Sequence, residues 1–154
     1  MWEKIEQIDW DSYKIPGKYS PDILPLIRGL VSEDWLVRDN AYGDLLRVID
    51  YVYDAKNVNE LPFVLVPILI DFLESGDVDD KLVITSLLVI ILSYSETKSL
   101  NEPFRSNALR TREAVCKGCN TYKELLLSIT NVATEEALAT KEDLVVLIEI
   151  CEST

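Results

Sequence analysis

The residues best suited to chemistry in this sequence are three cysteines, two of which form the motif Cys116-Lys117-Gly118-Cys119. A Cys-x-x-Cys pair supports redox chemistry in a strand–helix–strand unit, and a four-thiolate zinc site needs a second pair. The chain offers neither, since Cys151 is its one further thiol. The absence of histidine also excludes Ser–His–Asp and Cys–His nucleophile pairs. A thiol- or metal-dependent enzyme using Cys116 and Cys119 is therefore kept only as a third alternative.

Paired carboxylates are the second candidate for chemistry, because two acids can catalyse hydrolysis when burial raises the pKa of one. All four pairs are predicted at or near helix starts, where the helix dipole stabilises negative charge. The five glycines are isolated, so no phosphate-binding loop is predicted. We therefore predict no enzymatic activity, no cofactor and no metal site. The four pairs are Glu33-Asp34, Asp79-Asp80, Glu135-Glu136 and Glu142-Asp143.

Apolar residues recur every three or four positions along most of the chain, which predicts an all-helical fold. We expect about six to seven helices in a single domain spanning 1–154. Segment 95–111 is poor in apolar anchors and is predicted to be an irregular connector, either mobile or a binding loop. The predicted helices span roughly 2–13, 20–31, 34–53, 61–74, 79–94, 122–129 and 141–151.

Two segments about forty residues apart repeat one pattern, an apolar helix followed by a short acidic loop and a second apolar helix. Superposing Pro25 on Pro67 aligns Leu30 with Phe72. A period near forty with paired helices is typical of an α-solenoid, a fold that mostly binds other molecules. We therefore predict a short right-handed α-solenoid of antiparallel helix pairs.

The pattern of turns and helix starts along the chain resembles that of a bacterial family of HEAT-repeat-like proteins. The similar elements are Ile8-Asp9-Trp10, Gly17, Asp22-Ile23-Leu24-Pro25, Val66-Pro67-Ile68-Leu69, Arg112-Glu113-Ala114-Val115-Cys116-Lys117-Gly118, Tyr122 and Leu125-Leu126. The family often carries a His-Gln-Gly element before its Val-Pro helix, where this chain has Asp54-Ala55-Lys56. The resemblance implies a protein-binding scaffold, and some relatives of this kind are linked to toxin–immunity systems.

The net charge of −12, from 27 acidic and 15 basic residues, limits the class of partner. Such a surface repels phosphate backbones and anionic lipids, so we predict neither a nucleic-acid nor a membrane partner. It favours rapid capture of a basic protein, although plain solubility is an equal explanation. The start of the chain lacks a signal-peptide pattern, and three cysteines fit a reducing compartment, which predicts a cytoplasmic protein.

The predicted partner-binding surface is the concave side of the solenoid, which second helices of each pair line. Carboxylates there steer a basic partner, and tyrosines supply rigid contact area; a solvated face is the alternative. We predict a monomeric or homodimeric, non-catalytic binding module, in sharper form an immunity-type inhibitor that masks a basic toxin domain such as a nuclease. The alternative is a structural adaptor in a larger assembly. The predicted binding residues are Asp39, Tyr42, Asp50, Tyr53, Asp54, Asp79 and Asp80.

Overall fold

A computed structural model describes residues 1–54, 59–95 and 101–153. Within these ranges every regular element is helical, so the predicted all-helical class is confirmed. Eight α-helices and one 3-10 helix are present there, and the expectation of six to seven helices is wrong. The elements are α1 (Trp2–Glu6), the 3-10 helix (Trp10–Tyr13), α2 (Ile23–Leu30), α3 (Trp35–Asp54), α4 (Leu61–Glu74), α5 (Leu82–Ser95), α6 (Phe104–Cys116), α7 (Cys119–Ser128) and α8 (Glu135–Glu152).

The largest correction concerns the predicted connector at 95–111. Its residues from Phe104 onward begin helix α6, and residues 96–100 lie outside the described ranges. The buried side chains of α6 include Ala108, Thr111 and Val115, which recur at helical spacing. Ala108 is small and Thr111 carries a hydroxyl, so the segment lacks the strongly apolar pattern from which a helix is predicted. Close packing against α4 explains why small residues suffice there.

The N-terminal helix predicted over 2–13 is divided into two short pieces. Helix α1 ends at Glu6, and the backbone leaves the helical region at Asp9, where φ is −76° and ψ is 80°. The indole nitrogen of Trp10 then donates a hydrogen bond to the carbonyl oxygen of Ile5 over 2.8 Å. This bond folds the 3-10 helix back onto α1 and buries the Trp10 ring.

The helices pack in pairs around α5. Helix α2 packs on α3, α4 on α5 and α7 on α8, while α3 contacts α5 and α5 contacts α8. Helix α6 contacts α4, α5 and α8. The strongly apolar segment 82–91 lies within α5, and buried residues occupy most of its length. In the part of the chain that the structure describes, no helix is both long enough and apolar enough to cross a membrane.

A similar contact joins the two helices of each pair. In each, a basic side chain near the start of the second helix donates hydrogen bonds to backbone carbonyls around the end of the first. Arg38 bonds to the carbonyls of Ser32 and Glu33 (2.8 and 3.0 Å). Lys81 bonds to those of Leu73 and Ser75 (2.8 and 3.2 Å). Lys141 bonds to those of Thr130 and Val132 (3.0 and 2.6 Å). Leu73 and Ser75 lie at the C-terminal end of α4, and the other acceptors lie in the loops that follow α2 and α7. Each cation therefore holds a loop against the helix that follows it.

Acidic residues flank the same loops. The side chains of Asp34 and Asp80 accept hydrogen bonds from the amides of Leu36 and Leu82 (2.9 and 3.0 Å), as expected near a helix start. The pair Glu142-Asp143 instead lies within α8, so its predicted position at a helix start is wrong. Helix α8 begins earlier because Thr134 caps it, accepting a hydrogen bond from the amide of Ala137.

Candidate functional site

The two tyrosines of the predicted surface join α3 to α5. The hydroxyl of Tyr42 shares a 2.9 Å hydrogen bond with the hydroxyl of Ser86. The ring of Tyr53 stacks on the ring of Tyr94, with centroids 4.5 Å apart and planes inclined by 11°. Both side chains are half-buried. The tyrosines therefore orient the surface by fixing one helix against the other.

Two predicted carboxylates converge on Tyr94 near the end of α5. The hydroxyl of Tyr94 donates a hydrogen bond to Asp50. That bond, followed by burial and by the charges of Asp50 and Asp54, raises the pKa of Tyr94 to about 12. The carboxylate of Asp54 is exposed at the last turn of α3. We call Asp50, Tyr53, Asp54 and Tyr94 the Tyr94 cluster.

The remaining predicted residues lie toward the opposite end of the two helices. Asp80 pairs with Arg38 over 3.2 Å, which brings the α4–α5 loop beside the start of α3. Asp39 and Asp79 are exposed. Because α5 has 14 residues, the loop lies about 20 Å from the Tyr94 cluster along the helix axis. The seven predicted residues thus form two groups at the two ends of the contact between α3 and α5.

A groove between α3, α4 and α6 adjoins the Tyr94 cluster, and the sequence reading missed it. Tyr53 belongs to both features. The guanidinium of Arg110 lies 4.4 Å from the ring centroid of Phe63 and pairs with Glu60 over 3.0 Å at the rim. Its lining comes from three separated segments, one of them inside the predicted connector. The helical spacing of Phe104, Ala108 and Thr111 could have indicated it. The lining residues are Val52, Tyr53, Asn59, Glu60, Pro62, Phe63, Phe104, Asn107, Ala108, Arg110 and Thr111.

The three cysteines meet around the buried ring of Tyr122 at the junction of α6, α7 and α8. None of the three is in a disulfide, and all are half-buried. Burial, followed by a hydrogen bond with Cys116, raises the pKa of the Cys151 thiol, which makes that thiol a poor nucleophile at neutral pH. Among the described residues, no group of three or more Cys, Asp or Glu side chains is placed to hold a metal ion.

Comparisons with known proteins leave the geometry as the guide to function. No protein-family model matches the sequence, and no curated protein or solved structure is detectably similar to it. The resemblance to HEAT-like proteins therefore rests on the sequence elements given above. The Tyr94 cluster and its adjoining groove are the candidate site because they combine carboxylates, aromatic rings and an apolar recess.

Titration of Tyr94 should make stability depend on pH in the alkaline range. Its pKa of about 12 in the folded state exceeds the ordinary value near 10, so the folded protein holds this proton more tightly. The stabilisation is complete below about pH 10 and is lost as the pH rises toward 12. Urea unfolding at pH 9 and pH 11.5 should show a smaller decrease for Tyr94→Phe than for wild type. An equal decrease in both proteins would contradict the assigned hydrogen bond.

Proposed function

We propose that this chain is a non-catalytic module that binds a basic protein partner on the face shared by α3 and α5. The observation that carries the proposal is the Tyr94 cluster, where two carboxylates converge beside a stacked pair of tyrosines. Carboxylates at a rim steer a cationic partner, and aromatic side chains give contact area at low entropic cost. Exposed Asp39 on α3 and exposed Asp79 in the loop before α5 extend the negative charge toward the other end of the same face.

We also propose that the helix pairs form a short right-handed α-solenoid of the HEAT-like kind. Supporting this are the contacts that run from α3 to α5 and from α5 to α8, which make a continuous layer of second helices. The loop contacts of Arg38, Lys81 and Lys141 support it independently, because the same bond from a cation to a loop carbonyl recurs in three helix pairs. Stacked pairs of this kind present a concave surface for binding.

The sharper form of the proposal is an immunity-type inhibitor that masks a basic toxin domain such as a nuclease. The net charge of −12 supports it, because an acidic inhibitor competes with nucleic acid for a cationic active-site surface. The resemblance to proteins linked to toxin–immunity systems points the same way. A toxin gene directly upstream of the gene for this chain would support this form.

A structural adaptor in a larger assembly is the second candidate. The outer face of α8 exposes Leu138, Val145 and Val146, each at least 39% accessible. Aliphatic side chains that share one exposed helix face mark contact sites for other proteins. An adaptor that used this face would bind its neighbour without help from the acids of α3.

Charge reversal on α3 tests the binding proposal. The partner is first identified by pull-down from the native host with mass spectrometry. The double variant Asp39→Lys, Asp54→Lys should then bind it at least about tenfold more weakly, with a shallower dependence of the dissociation constant on salt. Both side chains are exposed, so folding should be unaffected.

The matched control is the double variant Glu3→Lys, Glu124→Lys, which changes net charge equally at exposed positions on α1 and α7. It should retain most of the affinity. Equal weakening in both variants would mean that net charge alone steers binding. Unchanged affinity in the α3 variant would overturn the proposed surface and favour the adaptor.

A further inference from the structure

We infer that the groove between α3, α4 and α6 receives one aliphatic side chain of the partner, beside a lysine or arginine that pairs with Asp50 and Asp54. This inference rests on the proposed function, because it names the anchor of the same interface. Three properties of the groove favour this guest: the chemistry of its lining, its size and its position next to the Tyr94 cluster.

Most of the surface that lines the recess is carbon. The amide of Asn59 donates to the carbonyl of Tyr13 (3.0 Å) and accepts from the amide of Leu61 (2.9 Å). The hydroxyl of Thr111 donates to the carbonyl of Asn107 (2.9 Å). Glu60 is paired with Arg110. Because these polar side chains already have partners within the protein, the guest that gains most from entering is apolar.

The walls of the recess are aromatic and aliphatic. Tyr53, Phe63 and Phe104 come from α3, α4 and α6. Val52, Pro62 and Ala108 complete the apolar lining. Helices α4 and α6 pack on each other, and α3, α4 and α6 all contact α5, so the recess is formed before a partner binds. Binding then costs little entropy for ordering the site.

The size of the recess selects one side chain rather than a cofactor. Its cavity volume is about 40 Å³. Sites for small molecules and cofactors usually enclose roughly 300–1,000 Å³. A recess of about 40 Å³ can receive the methyl groups of a single branched aliphatic side chain. Buried anchors of this kind dominate the energy of many protein interfaces.

The neighbouring charges specify what must flank that side chain. Tyr53 lines the recess on one side and stacks on Tyr94 on the other. The hydroxyl of Tyr94 is bonded to Asp50, and the exposed carboxylate of Asp54 acts on the same phenol. A cationic residue adjacent to the aliphatic anchor would therefore meet two carboxylates. The occupant is a basic protein segment in which a residue such as leucine lies next to lysine or arginine.

The test compares three capped peptides by amide chemical-shift titration of the isotope-labelled protein. The first, acetyl-Lys-Leu-Lys-amide, contains both the anchor and the charge. The second, acetyl-Lys-Gly-Lys-amide, lacks the anchor, and the third, acetyl-Glu-Leu-Glu-amide, reverses the charge. We expect the first to bind at least about tenfold more tightly than either of the others. It alone should shift the amides of Phe63, Ala108 and Thr111.

Filling the recess provides a second test. Ala108→Leu adds three carbon atoms inside the lining and should abolish the preference for the leucine peptide over the glycine peptide. Ser106→Leu adds an apolar side chain of equal size at an exposed position of α6 and should preserve that preference. The amide spectrum of each variant reports whether it folds, and the wild-type comparison needs no variant.

The outcomes separate the anchor from the proposed function. Equal affinity for the leucine and glycine peptides, with both exceeding the glutamate peptide, would overturn the anchor and leave the acidic surface standing. Equal affinity for the Lys-Leu-Lys and Glu-Leu-Glu peptides would instead overturn the basic partner. A leucine preference that survives in Ala108→Leu would also contradict the groove as its origin.

Discussion

Replacing Tyr122 by alanine should lower the free energy of unfolding by about 3–5 kcal/mol. Its side chain is fully buried where α6, α7 and α8 meet. Removing the ring leaves a cavity among side chains that belong to three helices and cannot all move inward. Because domains of this size are stable by roughly 5–15 kcal/mol, the loss is a large part of the total.

The hydroxyl of Tyr122 makes a separable contribution. It donates a 2.7 Å hydrogen bond to the carbonyl of Val115, at the end of α6. Gly118 leaves room for it, since a Cβ atom there would lie 2.6 Å from the hydroxyl oxygen. Tyr122→Phe keeps the ring, and the Val115 carbonyl still accepts from the amide of Gly118 (3.1 Å). Loss of the hydroxyl bond should therefore cost about 0.5–1.5 kcal/mol.

Urea unfolding followed by circular dichroism measures both variants against Tyr19→Ala. Tyr19 is 85% exposed, so its loss should change the free energy of unfolding by less than about 0.5 kcal/mol. Tyr122→Ala within 1 kcal/mol of wild type would show that the junction repacks around the missing ring and would contradict its place in the core.

Replacing Trp10 by alanine should have an effect of similar size, about 3–5 kcal/mol. The ring is 6% exposed and its nitrogen donates to the carbonyl of Ile5 over 2.8 Å. The substitution removes a large buried side chain. It also removes the hydrogen bond that holds the 3-10 helix against α1. Because these two elements belong to the same core as α2 and α3, detaching them exposes the N-terminal end of that core.

Trp35→Ala is the matched control, because that tryptophan is 64% exposed at the first turn of α3. It should unfold within about 0.5 kcal/mol of wild type. Thermal and urea unfolding of the two variants would measure the difference in their stability. Equal stability of Trp10→Ala and Trp35→Ala would mean that the N-terminal segment does not support the rest of the domain.

Local sequence patterns were sufficient for most of the helices. Ala41, Leu45, Val48 and Val52 recur at spacings of three and four along α3, and all four are buried. Val37 continues the same spacing but is 43% exposed in the first turn of the helix. Periodicity predicts which side of a helix is apolar, but the depth of burial depends on where neighbouring helices end.

The candidate site was likewise only partly predictable from the sequence. Asp50, Tyr53 and Asp54 could be selected from the sequence, since helical spacing brings acids and tyrosines onto neighbouring turns. Tyr94 could not, because its partnership with Asp50 joins residues 44 positions apart. The groove left a weaker signal, since α6 packs through small residues and the helical spacing of Phe104, Ala108 and Thr111 is only partly apolar.

The sequence by itself determined the helical class, the buried central helix and the strongly negative surface. These follow from composition and from contacts within one helix, whose period of 3.6 residues repeats in the order of the chain. The tertiary structure alone decided which carboxylates meet an aromatic ring, where the three thiols gather and where the recess opens. Such features depend on pairs of residues from different helices, and the spacing of residues along the chain does not specify which helices pack together.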